Sequence, residues 1–164
     1  MRKPAAEDGT ALHALVQASD YLDTNSLYCY LLICTHFRET SVVAEQHGHV
    51  VGFISAYPLP EAPDTLFVWQ VGVSSNARRQ GIAGKMLREI LQRDKCRNIT
   101  QMETTVTREN EASRRLFQSL QKRMGCPLNE TVMFDSRTVF NGAHDTEYLL
   151  SIGPFNSNDN GRSP

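Results

Sequence analysis

The segment Val71-Gly72-Val73-Ser74-Ser75-Asn76-Ala77-Arg78-Arg79-Gln80-Gly81-Ile82-Ala83-Gly84 constrains this chain more than any other. An apolar strand runs into a basic turn bearing glycine. A helix follows at once, with Ile82, Met86, Leu87, Ile90 and Leu91 on one face. The first N–H groups of a helix have no partners within it, and the helix dipole adds partial positive charge at the same end. Such a turn suits a phosphate or pyrophosphate. Gly81 and Gly84 let a ligand approach the backbone closely, and Arg78 and Arg79 place charge at the rim.

The elements around this segment alternate. Ala5–Ala18 and Tyr28–Phe37 read as helices separated by a polar break at 21–26. Thr40–Glu45 and Val50–Tyr57 read as a hairpin, and Pro58, Pro60 and Pro63 mark a surface loop. Thr65–Val73 is too uniformly apolar for a sheet edge. Beyond the helix at 82–94 come a strand (Thr100–Val106), a helix (Asn110–Met124) and two strands near Thr131–Phe134 and Glu147–Ile152. This order predicts a mixed α/β sheet covered on both faces, in one domain over 1–155. The polar tail 156–164 is expected to be disordered.

At 164 residues with 40% hydrophobic content, the chain has enough apolar material for one sizeable core. A formal net charge of −1 gives no basic face for nucleic acid. No apolar run has the length of a membrane span, and no signal-peptide core follows Met1-Arg2-Lys3-Pro4. Cys29, Cys34, Cys96 and Cys126 lack C-x-x-C spacing, so reduced thiols and a cytoplasmic location are expected. His47 and His49 flank a hairpin glycine with no third ligand nearby, so no metal is expected.

Three strings read together carry a resemblance: Val71-Gly72-Val73, then Arg78-x-x-Gly81-x-Ala83 opening a helix, then Asn110-x-x-Ser113-x-x-Leu116-Phe117 after the next strand. The chain resembles the GCN5-related N-acetyltransferase superfamily. Ser113 and Phe117 depart from that family's alanine and tyrosine. The resemblance implies a mostly antiparallel central sheet, splayed where acetyl-CoA binds, with helices on both faces. Longer strings extend the match over Ala6–Gly153: Leu22-Asp23-Thr24-Asn25-Ser26, Asp64–Val71, Glu103-Thr104-Thr105 and Gly142-Ala143-His144-Asp145. They are similar to the branch that acetylates the 4-amino group of L-2,4-diaminobutyrate on the route to the compatible solute ectoine.

That resemblance implies roles. Arg78, Arg79, Gly81, Ala83 and Gly84 would hold the CoA pyrophosphate, with Val71 and Val73 along the thioester and pantetheine. The resemblance implies a bulge that frees strand amides, with which Gly72 is consistent, although a plain buried strand glycine would read the same. Asn110 would lie near the pantetheine arm, although as an N-cap it needs no ligand. Phe117 would pack in the core or against pantetheine; it has no hydroxyl for the leaving thiolate. Glu103, Thr104, Thr105 and Tyr28 stay open as substitutes for that donor.

Asp23, Trp69 and Glu147 are the residues expected to bind the diamine. Trp69 would act by cation–π attraction, worth about 0.5–2 kcal/mol. Asp23 also suits the cap of the following helix, and Trp69 a core position. Glu147 and His144 are candidate proton acceptors, and Tyr28 completes the catalytic set. A small-molecule substrate and a homodimer are implied. Other readings of the same residues are an acetyltransferase for another small diamine or a peptide amine, and a silent acyl-CoA-binding module.

Overall fold

The computed structural model describes residues 1–19 and 21–156, so the tail expectation lies almost wholly outside the described residues. Two helices come first, α1 (Gly9–Gln17) and α2 (Leu27–His36). Then follow β1 (Val42–Gln46), β2 (His49–Leu59), β3 (Ala62–Val73), α3 (Ile82–Leu91), β4 (Gln101–Val106), α4 (Glu111–Met124), β5 (Leu128–Phe134) and β6 (Glu147–Ile152). The six strands form one sheet in the order β1-β2-β3-β4-β6-β5, antiparallel except for β3 with β4. The apolar β3 is therefore central, as its composition requires.

Helices cover both faces. α3 sets Ile82, Met86, Leu87, Ile90 and Leu91 against Val42, Ile54, Leu66 and Val68, joined by Phe117 and Leu120 of α4. Each such side chain taken from water contributes about 1.5–3 kcal/mol. On the other face, Leu12 and Val16 of α1 meet Tyr30 and Ile33 of α2, with Val43 and Phe53 beneath them. α4 starts at Asn110, whose side chain accepts the Ser113 N–H at 3.1 Å, and stops at Gly125 in the left-handed region.

Three local expectations are corrected. The proline-marked segment is not a surface loop: β2 runs through Pro58 to Leu59, and β3 restarts at Ala62. The register slips between Pro58 and Leu59, next to a residue that has no N–H to give the ladder. The helix expected over 82–94 ends at Leu91 and is followed by a single turn at Asp94–Cys96.

The third correction concerns the bulge. Ser55 pairs with Gln70 and Ala56 with Val68, so Trp69 is the extra residue. Gly72 pairs regularly with Phe53. Glycine is needed there because a Cβ would sit 2.4 Å from Cε1 of the Phe53 ring. The slip at Trp69 inverts the strand's alternation. Leu66 and Val68 face α3 and α4 before it, and Val71 and Val73 face them after it.

Candidate active site

The parallel pairing of β3 and β4 is short, running from Thr65 with Gln101 to Phe67 with Glu103. The Thr104 hydroxyl then donates to the Val68 carbonyl at 2.9 Å, and beyond this the strands separate. From there to Val73, backbone groups of β3 that face β4 have no strand ladder on that side. The splay expected from the resemblance is present, and two adjoining cavities open along it.

The first cavity, about 640 Å³, lies over the N-terminus of α3. Val71, Val73, Arg78, Arg79, Gly81, Ala83, Gly84 and Asn110 all line it. Gly81 precedes the helix with φ +70°, a left-handed geometry that glycine adopts at little cost, and no side chain caps the helix there. Apart from the adjoining chain, no atom of the described residues lies within 4 Å of where a Cβ of Gly81 or Gly84 would stand. The helix mouth is open, its first amides are uncapped, and Arg79 turns through φ +63° beside it. These features fit a pyrophosphate.

The second cavity, about 740 Å³, is walled by Asp23, Trp69, Gln70, Thr105, His144 and Glu147 among others. Tyr21, Leu22, Val71, Glu109, Asn110 and Ser113 line both cavities, so the two are continuous. Asp23, Trp69, Thr105, His144 and Glu147, singled out in the sequence, thus meet here from four separate segments. His144 Nε2 lies 3.2 Å from Asp23 Oδ2, joining the α1–α2 segment to the β5–β6 loop. His144 Nδ1 approaches the Asp145 carbonyl at 2.8 Å, and the ring stands 4.8 Å from that of Phe140. The Asp145 carbonyl, then Asp23, raise the His144 pKa above the usual histidine value.

Burial raises the Glu147 carboxyl above the usual glutamate value; His144 and Thr105 pull the other way without offsetting it. Its Oε2 is buried with no hydrogen-bond partner among the described residues. Trp69 projects from the bulge, 40% exposed, so its ring is not core. Asp23 does not cap α2. Ser26 does, accepting the Cys29 N–H at 3.3 Å, which leaves the Asp23 carboxylate to the cavity.

Two expected site residues stand elsewhere. Tyr28 is 68% exposed on α2 and lines neither cavity of this chain. Phe117 is 1% exposed inside the core beneath α4, in line with the core alternative, and it lines neither cavity. Among the other residues left open as thiolate donors, Glu103 lines neither cavity and accepts from the Ser151 hydroxyl at 3.0 Å. The Thr104 hydroxyl is engaged with Val68, and Thr105 faces the acceptor cavity.

The sequence reading missed Tyr21, Glu109, Ser113 and Gln70. Gln70 carried a signal: it is the only amide in an otherwise apolar central strand run, Leu66–Val71. Its Nε2 donates to the Asp23 carbonyl at 3.0 Å.

Residues 11–121 match the model of the acetyltransferase (GNAT) family, and the chain belongs to that family. A protein of this class moves an acetyl group from acetyl-CoA to an acceptor. Within the family the chain is similar to L-2,4-diaminobutyric acid acetyltransferases. It is 50% identical over 157 residues to that of Bordetella parapertussis, covering 94% of this chain and 84% of the relative. It is 45% identical to that of Vibrio cholerae, covering 96% and 91%. The diaminobutyrate acetyltransferase of Paenibacillus lautus, solved with its substrate L-2,4-diaminobutyric acid and coenzyme A, is 44% identical. It superposes with a TM-score of 0.90 over 94% of this chain and 93% of that one.

Proposed function

We propose that this protein transfers the acetyl group of acetyl-CoA to the 4-amino group of L-2,4-diaminobutyrate, giving N4-acetyl-L-2,4-diaminobutyrate and CoA. The product lies on the route to ectoine. The observation that carries the reading is the similarity, nearly end to end, to an enzyme solved with both ligands. In the present chain, two continuous cavities have the matching chemistry: an uncapped helix mouth in one, carboxylates and an indole in the other.

Acetyl-CoA supplies an activated thioester. The α3 amides near Ala83 and Gly84, with Arg78 and Arg79, hold its pyrophosphate. The backbone of β3 near Val71, released from β4, runs beside the thioester and polarises its carbonyl. Asp23 and Trp69 bind an ammonium of the diamine. An amine of pKa about 10 is protonated at neutral pH and must lose a proton before it attacks. Glu147, directly or through water, accepts it, and His144 fixes the Asp23 wall. The amine nitrogen bonds to the acyl carbon, the carbon–sulfur bond breaks, and CoA leaves as a thiolate that takes a proton.

Two copies associate in this reading. β5 lies at the sheet edge with Val132, Met133 and Phe134 exposed, a surface that a second copy would cover. Light scattering after size exclusion checks the dimer. No described helix is long and apolar enough to cross a membrane, and we place the protein in the cytoplasm.

Release of CoA thiol from acetyl-CoA, dependent on diaminobutyrate, tests the activity. Asp23→Ala and Glu147→Gln are expected to raise KM for diaminobutyrate or lower kcat at least tenfold, with KM for acetyl-CoA little changed. No thiol release by the wild-type protein would reject the reading.

A further inference from the structure

Gln70 is 5% exposed, yet it is one of the residues that line the acceptor cavity. Its amide orientation follows from chemistry. A carbonyl only accepts, so the atom facing the Asp23 carbonyl at 3.0 Å is the nitrogen, and the oxygen is the group left over. That Oε1 is buried and has no hydrogen-bond partner among the described residues. A buried acceptor without a donor costs about 1–3 kcal/mol, a cost that a ligand N–H would remove.

We propose that Gln70 is a specificity residue for the diamino acid, its Oε1 accepting a hydrogen bond from the 2-ammonium group, the amine that does not react. The inference rests on the acetyl-transfer reading above. The Gln70 amide nitrogen holds the main chain of Asp23, so the amide oxygen belongs to the same wall of the cavity as the Asp23 carboxylate. Glu147 enters from β6, with β4 lying between β6 and β3. Glu147 has its own unpartnered oxygen and suits the amine that must give up a proton. The Gln70 wall suits the amine that keeps all three. An uncharged acceptor beside one carboxylate can hold an ammonium throughout the reaction, and it offers nothing to a monoamine lacking that group.

The bulge explains why such a residue stands here. One inserted residue turns Gln70 from the α3 side of the sheet to the side of the α1–α2 segment, next to Asp23. Without the insertion the same amide would point into the apolar core.

A crystal structure of this protein with diaminobutyrate and CoA decides the matter. The 2-nitrogen is expected about 2.7–3.2 Å from Gln70 Oε1. A ligand whose 2-ammonium bonds elsewhere, leaving Oε1 unpartnered or on water alone, overturns the proposal. Kinetics give a second measurement. Gln70→Met, close in volume but without the acceptor, should raise KM for diaminobutyrate about tenfold or more, as expected for a hydrogen bond to a charged group. KM for acetyl-CoA should move less than twofold. An unchanged diaminobutyrate KM overturns the proposal, and so does an equal rise in both constants, which marks a purely structural role. Wild-type protein that does not acetylate diaminobutyrate is a different failure. It removes the underlying reading, whereas an active wild type with an unimpaired variant removes Gln70 alone.

Discussion

The hydroxyl of Ser55 accepts the backbone N–H of Gln70 at 3.2 Å, at the point where β2 and β3 slip register. Ser55 is itself buried, so this bond closes a gap in the ladder that water cannot reach. The β3 wall of the active site depends on it. It fixes the residue after the bulge, and so sets which side chains of β3 face the acceptor and which face the core.

Ser55→Ala should therefore destabilise the protein by about 1–3 kcal/mol, the cost of an unsatisfied buried donor. Urea denaturation measures the loss. The KM for diaminobutyrate should rise more than that for acetyl-CoA, because Trp69 and Gln70 flank the slipped position.

Gly72→Ala places a methyl group 2.4 Å from the Phe53 ring. Overpacking of this kind costs about 1–3 kcal/mol. Adding Phe53→Leu to that variant should recover part of the loss, although Phe53→Leu alone is destabilising. A thermal-unfolding cycle over the four proteins checks the coupling.

Gly81→Ala introduces no clash, since apart from its chain neighbours no described atom lies within 4 Å, but it forces alanine to φ +70°. The strain costs roughly 1–2 kcal/mol. The turn should relax away from the pyrophosphate and raise KM for acetyl-CoA several-fold, leaving the diaminobutyrate KM near its original value. Gly81→Asn should lie closer to wild type in both, because asparagine tolerates the left-handed region.

Glu147 binds its proton more tightly in the folded protein than in the unfolded chain, because burial disfavours its charge. Its contribution to stability is thus most favourable below the ordinary glutamate pKa and is lost as pH rises through the raised one. Measured against Glu147→Gln, wild-type Tm should fall over that window and stay lower at neutral pH. Activity should change in the opposite sense: kcat/KM of the wild type should fall as pH drops through the same pKa, a limb absent from the variant.

How much of this was legible beforehand differs by element. α3 and α4 announce themselves through apolar residues at helical spacing, and the glycine-bearing turn before α3 needs only local geometry to become an anion site. Asp23, Trp69, His144 and Glu147 came from the resemblance, and three separate segments had to fold together before they shared a cavity. Tyr28 and Phe117 look alike on paper as aromatics near functional strings. One lies on the outer surface of α2, the other inside the core.

The apolar period and the turn chemistry are local properties, and they were enough to predict a mixed α/β sheet and a helix mouth suited to an anion; acetyl transfer came from the family resemblance that the motif strings carry. The location of the bulge was not local. Gly72 looked like its cause, but Trp69 is the inserted residue, because strand register is a pairwise property of β2 and β3, held by Ser55. The role of Gln70 was equally out of reach, since an amide oxygen becomes a binding group only when burial removes water and packing leaves it without a donor.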